Sequence, residues 1–159
     1  MTLAVGIDPG TATTGYGLVR LTQDGSLVAV KYGVISTPKA STAPARLEML
    51  FKELRALLKK YKPDTAAVEK LFFSRNVTTA IAVGQARGVV MLCLKQAGIE
   101  PFEYTPNEIK QAVAGYGSAQ KRQVQEMVRA LLLLPEIPKP DDAADALAVA
   151  ITHLHTKRY

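Results

Sequence analysis

A chain of 159 residues has the length of one compact domain, because domains most often run to about 100–150 residues and two would each lack an adequate core. Apolar residues at 48% and charged residues at 21% are the proportions of a soluble globular protein, which excludes a disordered tail or a fibrous repeat. Twenty Lys and Arg against fourteen Asp and Glu leave a formal charge of +6, a balance that suits an anionic partner such as nucleic acid or a membrane surface.

The N-terminal run LAVGID, Leu3 to Asp8, reads as a buried strand that stops at Pro9-Gly10 and ends on an acid. It has no basic residue before Arg20 and no leader pattern. Two further extended runs, Thr14 to Thr22 and Ser26 to Ser36, are joined by the hairpin dipeptide Asp24-Gly25. The first three strands are therefore expected to be antiparallel. From Pro44 the apolar positions Leu47, Leu50, Phe51, Leu54, Leu57 and Leu58 recur at three and four, which predicts an amphipathic helix. Lys59, Lys60 and Lys62 at its end suit the helix dipole without invoking a ligand.

Pro63-Asp64 breaks this helix, and TAAVE forms a short strand that again ends on an acid, Glu69. Residues 76 to 97 form a long helical pattern with Asn76 as a possible cap and Gly84 and Gly88 spaced for close approach of a neighbour. Its Cys93, the single cysteine, reads as a small buried hydrophobe, so a disulfide and a thiolate metal site are both excluded. No uninterrupted run reaches the roughly 18 apolar residues of a bilayer span, and a reducing, cytoplasmic setting without membrane is expected.

IEPFEYT supplies a fifth strand, and Thr105-Pro106-Asn107-Glu108 has the form of a capped helix start. Ser118 is expected to open a further helix through Leu134. Pro135, Pro138 and Pro140 then lead into the alanine-rich helix DDAADALAVAITHLH. The order β-β-β-α-β-α-β-α-α-α predicts an α/β fold over 1–159, with a five-stranded mixed sheet flanked by helices.

The placement of acids is the feature that suggests chemistry. Asp8 and Glu69 close two strands, while Asp142 and Asp145 share one face of the last helix, about 5–6 Å apart at Cβ. Each acid alone has an ordinary explanation in a turn or a helix first turn. Four carboxylates gathered at one point would repel unless divalent cations neutralised them, and an all-oxygen set suits Mg²⁺ or Mn²⁺ better than zinc. Such a site, with two ions about 3.5–4 Å apart, performs phosphoryl transfer on a phosphodiester. His153 lies about 16 Å along the helix from Asp142 at 1.5 Å per residue and cannot share the site. Gly10, Gly15 and Gly17 look like a phosphate loop, but lack its Lys-Ser/Thr and lead into a strand.

VGIDPGTATTGYG, VEKLFFSRN, GQARGV, GSAQKRQVQ and DAADALAVAITHLH, in this order and spacing, resemble the RuvC family of Holliday-junction resolvases over essentially the whole chain. The resemblance implies a ribonuclease-H-like fold, a homodimer and Mg²⁺-dependent symmetric nicking of two opposing strands of a four-way DNA junction. It implies that Asp8, Glu69, Asp142 and Asp145 are the metal-binding catalytic acids, with Asp141 an extra acid beside them. By the same resemblance Phe72 sits at the junction centre, Phe73 and Arg75 share its loop, and Lys110 and Lys121 lie near the scissile phosphate. A branch-migration complex of RuvA and RuvB is the implied further partner. Adjacent aromatics between cations also suit stacking on unpaired bases. Two rival readings are a ribonuclease-H-like nuclease acting on RNA and an actin-like ATPase, which shares the strand-Asp-x-Gly-Thr-x-x-Thr-Gly pattern but needs a second domain. A DNA-binding module without catalysis would leave Glu69 and the acidic helix unexplained.

Overall fold

The computed structural model describes residues 1–10, 12–70 and 77–157. Its elements follow the expected order: β1 (Thr2–Asp8), β2 (Thr13–Leu21), β3 (Leu27–Ser36), α1 (Ala43–Tyr61), β4 (Thr65–Glu69), α2 (Val77–Gln96), β5 (Phe102–Tyr104), α3 (Pro106–Ala114), α4 (Lys121–Leu131) and α5 (Asp141–Thr156). They build one mixed sheet ordered β3-β2-β1-β4-β5. The three N-terminal strands pair antiparallel, and β1, β4 and β5 run parallel, as strands rejoined through helical crossovers must.

Because side chains alternate across a strand, β1 faces both ways at once. Leu3, Val5 and Ile7 point to the layer of α1 and α2, where they pack with Leu50, Leu54, Leu58, Val90 and Leu94. Ala4 points to the opposite layer, with Val113 of α3, Val128 of α4 and Leu147 and Ile151 of α5. On the α5 side, the middle of β1 and the start of β2 carry small residues at alternate positions: Ala4, Gly6, Gly15 and Gly17. This lets α5 lie directly on the sheet. A Cβ on Gly6 would meet the Ala146 carbonyl oxygen at 2.2 Å, and one on Gly15 would meet that of Asp142 at 2.0 Å.

A second anchor holds the other end of α5. His153 is fully buried, with Nε2 2.7 Å from Thr65 Oγ1 in β4 and Nδ1 2.8 Å from the Tyr104 hydroxyl in β5. Burial depresses its pKa to about 4, so the ring is neutral and packed between strands, far from the acids.

The helix starts follow local chemistry. Thr105 caps α3, with Oγ1 accepting from the Glu108 N–H and the Glu108 carboxylate accepting from the Thr105 N–H, both at 3.1 Å. The fourth helix is shorter than expected, Lys121–Leu131 rather than Ser118 to Leu134. Its start is set at Gln120, whose N–H donates to Gln123 Oε1 at 2.8 Å, in place of a serine cap. The fifth strand is limited to three residues.

By length and composition α2 is apolar enough to span a bilayer, with mean hydropathy 1.6 over 18 residues, which counting uninterrupted apolar residues does not reveal. Ala86, Val90, Cys93 and Leu94 of this helix are buried in the core. Burial raises the Cys93 thiol to about 11, in keeping with its role as a hydrophobe.

Candidate active site

The acids converge through strand parity. Asp8 shares the face of Ala4 and Gly6, and Glu69 shares the face of Ala67, so both carboxylates emerge on the α5 side at the carboxyl ends of adjacent parallel strands. Close seating of α5 then brings its N-terminal turns over the same point. Carboxylate oxygens of Asp8, Asp142 and Asp145 all lie within 4.8 Å of one another. Glu69 stands beside them, hydrogen-bonded to the Asp8 carboxyl.

Such crowding has an electrostatic cost. Burial, then the charge of Glu69 and its hydrogen bond, then Asp145 and Asp142, push the Asp8 carboxyl up to about 9. Asp145 is raised to about 6, chiefly by burial, with Lys121 opposing and the neighbouring acids adding to the rise. Asp8 therefore holds a proton at neutral pH, which is how a carboxylate cluster relieves repulsion when no cation does so. Oxygen-only donors at this separation fit a hard divalent ion, because binding one would replace that proton with a stronger positive charge.

Two neighbouring groups escaped the sequence reading. Thr13 lies on the same face of β2 as Gly15 and Gly17, and its hydroxyl donates to Asp142 Oδ2 at 2.5 Å. The alternation Thr13, Gly15, Gly17 was the available signal, since a helix that contacts bare strand backbone needs glycine at every second position. Arg87 of α2 is the other: Nη1 donates to the Glu69 carbonyl oxygen at 3.4 Å, and Nη2 pairs with Glu103 Oε1.

Lys121 opens α4 with Nζ 3.3 Å from Asp141 Oδ2 and 3.9 Å from Asp145 Oδ2, and this acidic setting raises its pKa despite partial burial. Asp141 also accepts from Gln125 Nε2 at 3.3 Å, so the extra acid serves to hold α4 and its lysine rather than join the cluster. Lys110 and Lys121 line one cleft of about 280 Å³ with Glu69 and Asp145. Asp8, Glu69, Lys70 and Arg87 line another of about 240 Å³. Phe72, Phe73, Arg75 and the expected cap Asn76 lie outside the described residues.

A family model described as crossover junction endodeoxyribonuclease RuvC matches residues 4–153. The chain belongs to the RuvC family. A RuvC of Syntrophomonas wolfei is 56% identical over 97% of this chain and 89% of that protein, and one of Chloroflexus aggregans is 58% identical over 96% and 93%. The fold agrees as well. Thermus thermophilus RuvC in complex with a Holliday junction substrate superposes with a TM-score of 0.88 at 33% identity, covering 96% of this chain and 93% of that one. The sheet order and flanking helices are thus those of a RuvC protein, and the ribonuclease-H-like architecture expected from the motifs is correct.

Proposed function

We propose that this chain, as a single nuclease domain over 1–159, resolves four-way DNA junctions by nicking two opposing strands, using Mg²⁺ held by Asp8, Glu69, Asp142 and Asp145. The observation that carries the reading is the convergence of three carboxylates within 4.8 Å of one another. Membership of the RuvC family, and likeness to a relative described with a Holliday junction substrate, support the choice of DNA junction over RNA.

Two Mg²⁺ ions, for which Mn²⁺ can substitute, would supply Lewis-acid polarisation of the scissile phosphate and lower the pKa of water. The chain's own part is to fix geometry and charge. Thr13 orients Asp142, β1 and β4 aim Asp8 and Glu69, and Lys110 and Lys121 face the phosphate to stabilise its developing negative charge. Water adds to phosphorus as the bond to the 3′ oxygen breaks, leaving a 5′-phosphate and a 3′-hydroxyl. Phe72, Phe73 and Arg75 would hold unpaired bases and phosphates at the crossover.

A four-way junction has its own two-fold symmetry, which two copies of this chain would match. The long helix α2 with Gly84 and Gly88 is the candidate contact between copies, supported by its exposed stripe of Val77, Ile81, Gly88 and Leu92, an apolar helix face otherwise left in water. RuvA and RuvB, which would move the junction, are the proposed partners in the bacterial cytoplasm.

The test is cleavage of a synthetic mobile junction, a linear duplex and an RNA–DNA hybrid with Mg²⁺, alongside Asp8→Asn. Paired nicks in the junction alone, absent in the variant, are expected. Equal cutting of duplex and junction would overturn resolution, and preference for the hybrid would favour ribonuclease activity.

A further inference from the structure

We infer that Arg87 is a positioning residue for this site: reaching from α2, its guanidinium fixes the end of β4 and so aims Glu69 at Asp8. The inference rests on the metal-dependent reading above. Glu69 is the last residue of its strand, where backbone pairing is about to stop. Beyond it, among the described residues, the Lys70 N–H donates to the Tyr104 carbonyl at 2.7 Å. The carbonyl of Glu69 itself accepts from Arg87 Nη1, while Nη2 of the same side chain pairs with Glu103 in β5. One planar fork therefore grips two neighbouring strand ends at once. A lysine would offer a single point of attachment.

The fork is itself held from behind. Ala86 and Val90, flanking Arg87 on α2, are buried in the core at 4% and 0% exposure. Arg87 is itself shielded, at 15% side-chain exposure, while Glu103 is more open at 35%, and Arg87 lines the cleft that contains Asp8 and Glu69. Its influence passes through geometry, since the guanidinium reaches the backbone carbonyl of Glu69 and the carboxylate of Glu103. Loss of the grip would let the Glu69 carboxylate swing away, and supporting contacts of this kind are worth about 10–100-fold in metal affinity or activity.

The experiment separates this role from that of a plain ion pair. Arg87→Met, Arg87→Lys and the exchanged pair Arg87→Glu with Glu103→Arg are compared with wild type for calorimetric Mg²⁺ and Mn²⁺ affinity, thermal stability, and kcat and KM on a junction. Metal affinity and kcat about tenfold or more lower in Arg87→Met are expected, with KM unchanged and Arg87→Lys between the two. The exchanged pair should recover stability but not metal affinity, because a glutamate at 87 cannot donate to the Glu69 carbonyl. Recovery of metal affinity by the exchanged pair, or wild-type affinity in Arg87→Met, would overturn the inference alone. Wild-type protein that takes up neither ion would overturn the metal-dependent reading and the inference with it.

Discussion

Asp8 pays the highest electrostatic cost in the site, and that cost has a measurable sign. Its folded pKa of about 9 lies above its unfolded value, so between about pH 4 and 9 the folded metal-free protein binds more protons than the unfolded chain. Metal-free stability should therefore rise as pH falls through that window. Asp8→Asn supplies a permanently neutral group of the same shape and should raise metal-free stability at pH 8 by about 1–2 kcal/mol, while abolishing cleavage. Chemical denaturation of both proteins in EDTA at pH 5 and pH 8 checks it: the advantage of the variant should shrink at pH 5. Added Mg²⁺ should reverse the order at pH 8, since binding draws the proton off the wild-type site. A variant less stable than wild type at pH 8 without metal would refute the account of Asp8.

At the scale of elements, the site depends on how closely α5 lies against β1 and β2. Gly15→Ala places a methyl 2.0 Å from the Asp142 carbonyl oxygen, and backbone on both sides leaves no flexible side chain to yield. The N-terminal turns of α5 must lift, carrying Asp142 and Asp145 away from Asp8. Junction cleavage should fall at least 100-fold, with a loss of about 1–3 kcal/mol in stability. Gly25→Ala, in the hairpin turn with open space around it, tests a local backbone cost without this displacement and should leave cleavage intact. Equal activity of Gly15→Ala and wild type would show that α5 does not need bare backbone beneath it. The same elements show what the sequence alone could reveal. The Asp24-Gly25 hairpin and the Thr105-Glu108 cap are local, and both were legible, as were the acids at the ends of β1 and β4. The role of Gly15 showed only as an alternation with Thr13 and Gly17 that marks bare strand backbone, because which helix covers that backbone is settled by long-range packing. Thr13 was missed for that reason, and the start of α4 was misplaced because glutamines at 120 and 123 make a cap that serine at 118 seemed to offer.

Across the whole molecule, most of the acids outside the site have local partners. Glu48, Glu100, Glu103 and Glu126 pair with Lys52, Lys95, Arg87 and the arginines of α4, while Asp64 accepts from the Leu3 N–H and Glu108 caps α3. With the four site acids set against two bound Mg²⁺, twenty Lys and Arg face the ten remaining acids. Two copies would then present a formal surplus of about +20 to the DNA. Each phosphate that such a surface neutralises releases condensed counterions, so six or more contacts should weaken junction binding by about 10³-fold or more between 50 and 200 mM salt. The measurement is best made with Asp8→Asn in Mg²⁺, which prevents cleavage. Lys110→Ala and Lys121→Ala should each reduce the slope of log affinity against log salt by about 1, because each removes one phosphate contact beside the site. A slope near zero in the parent protein, or one unchanged in both lysine variants, would mean that these cations do not face the DNA backbone.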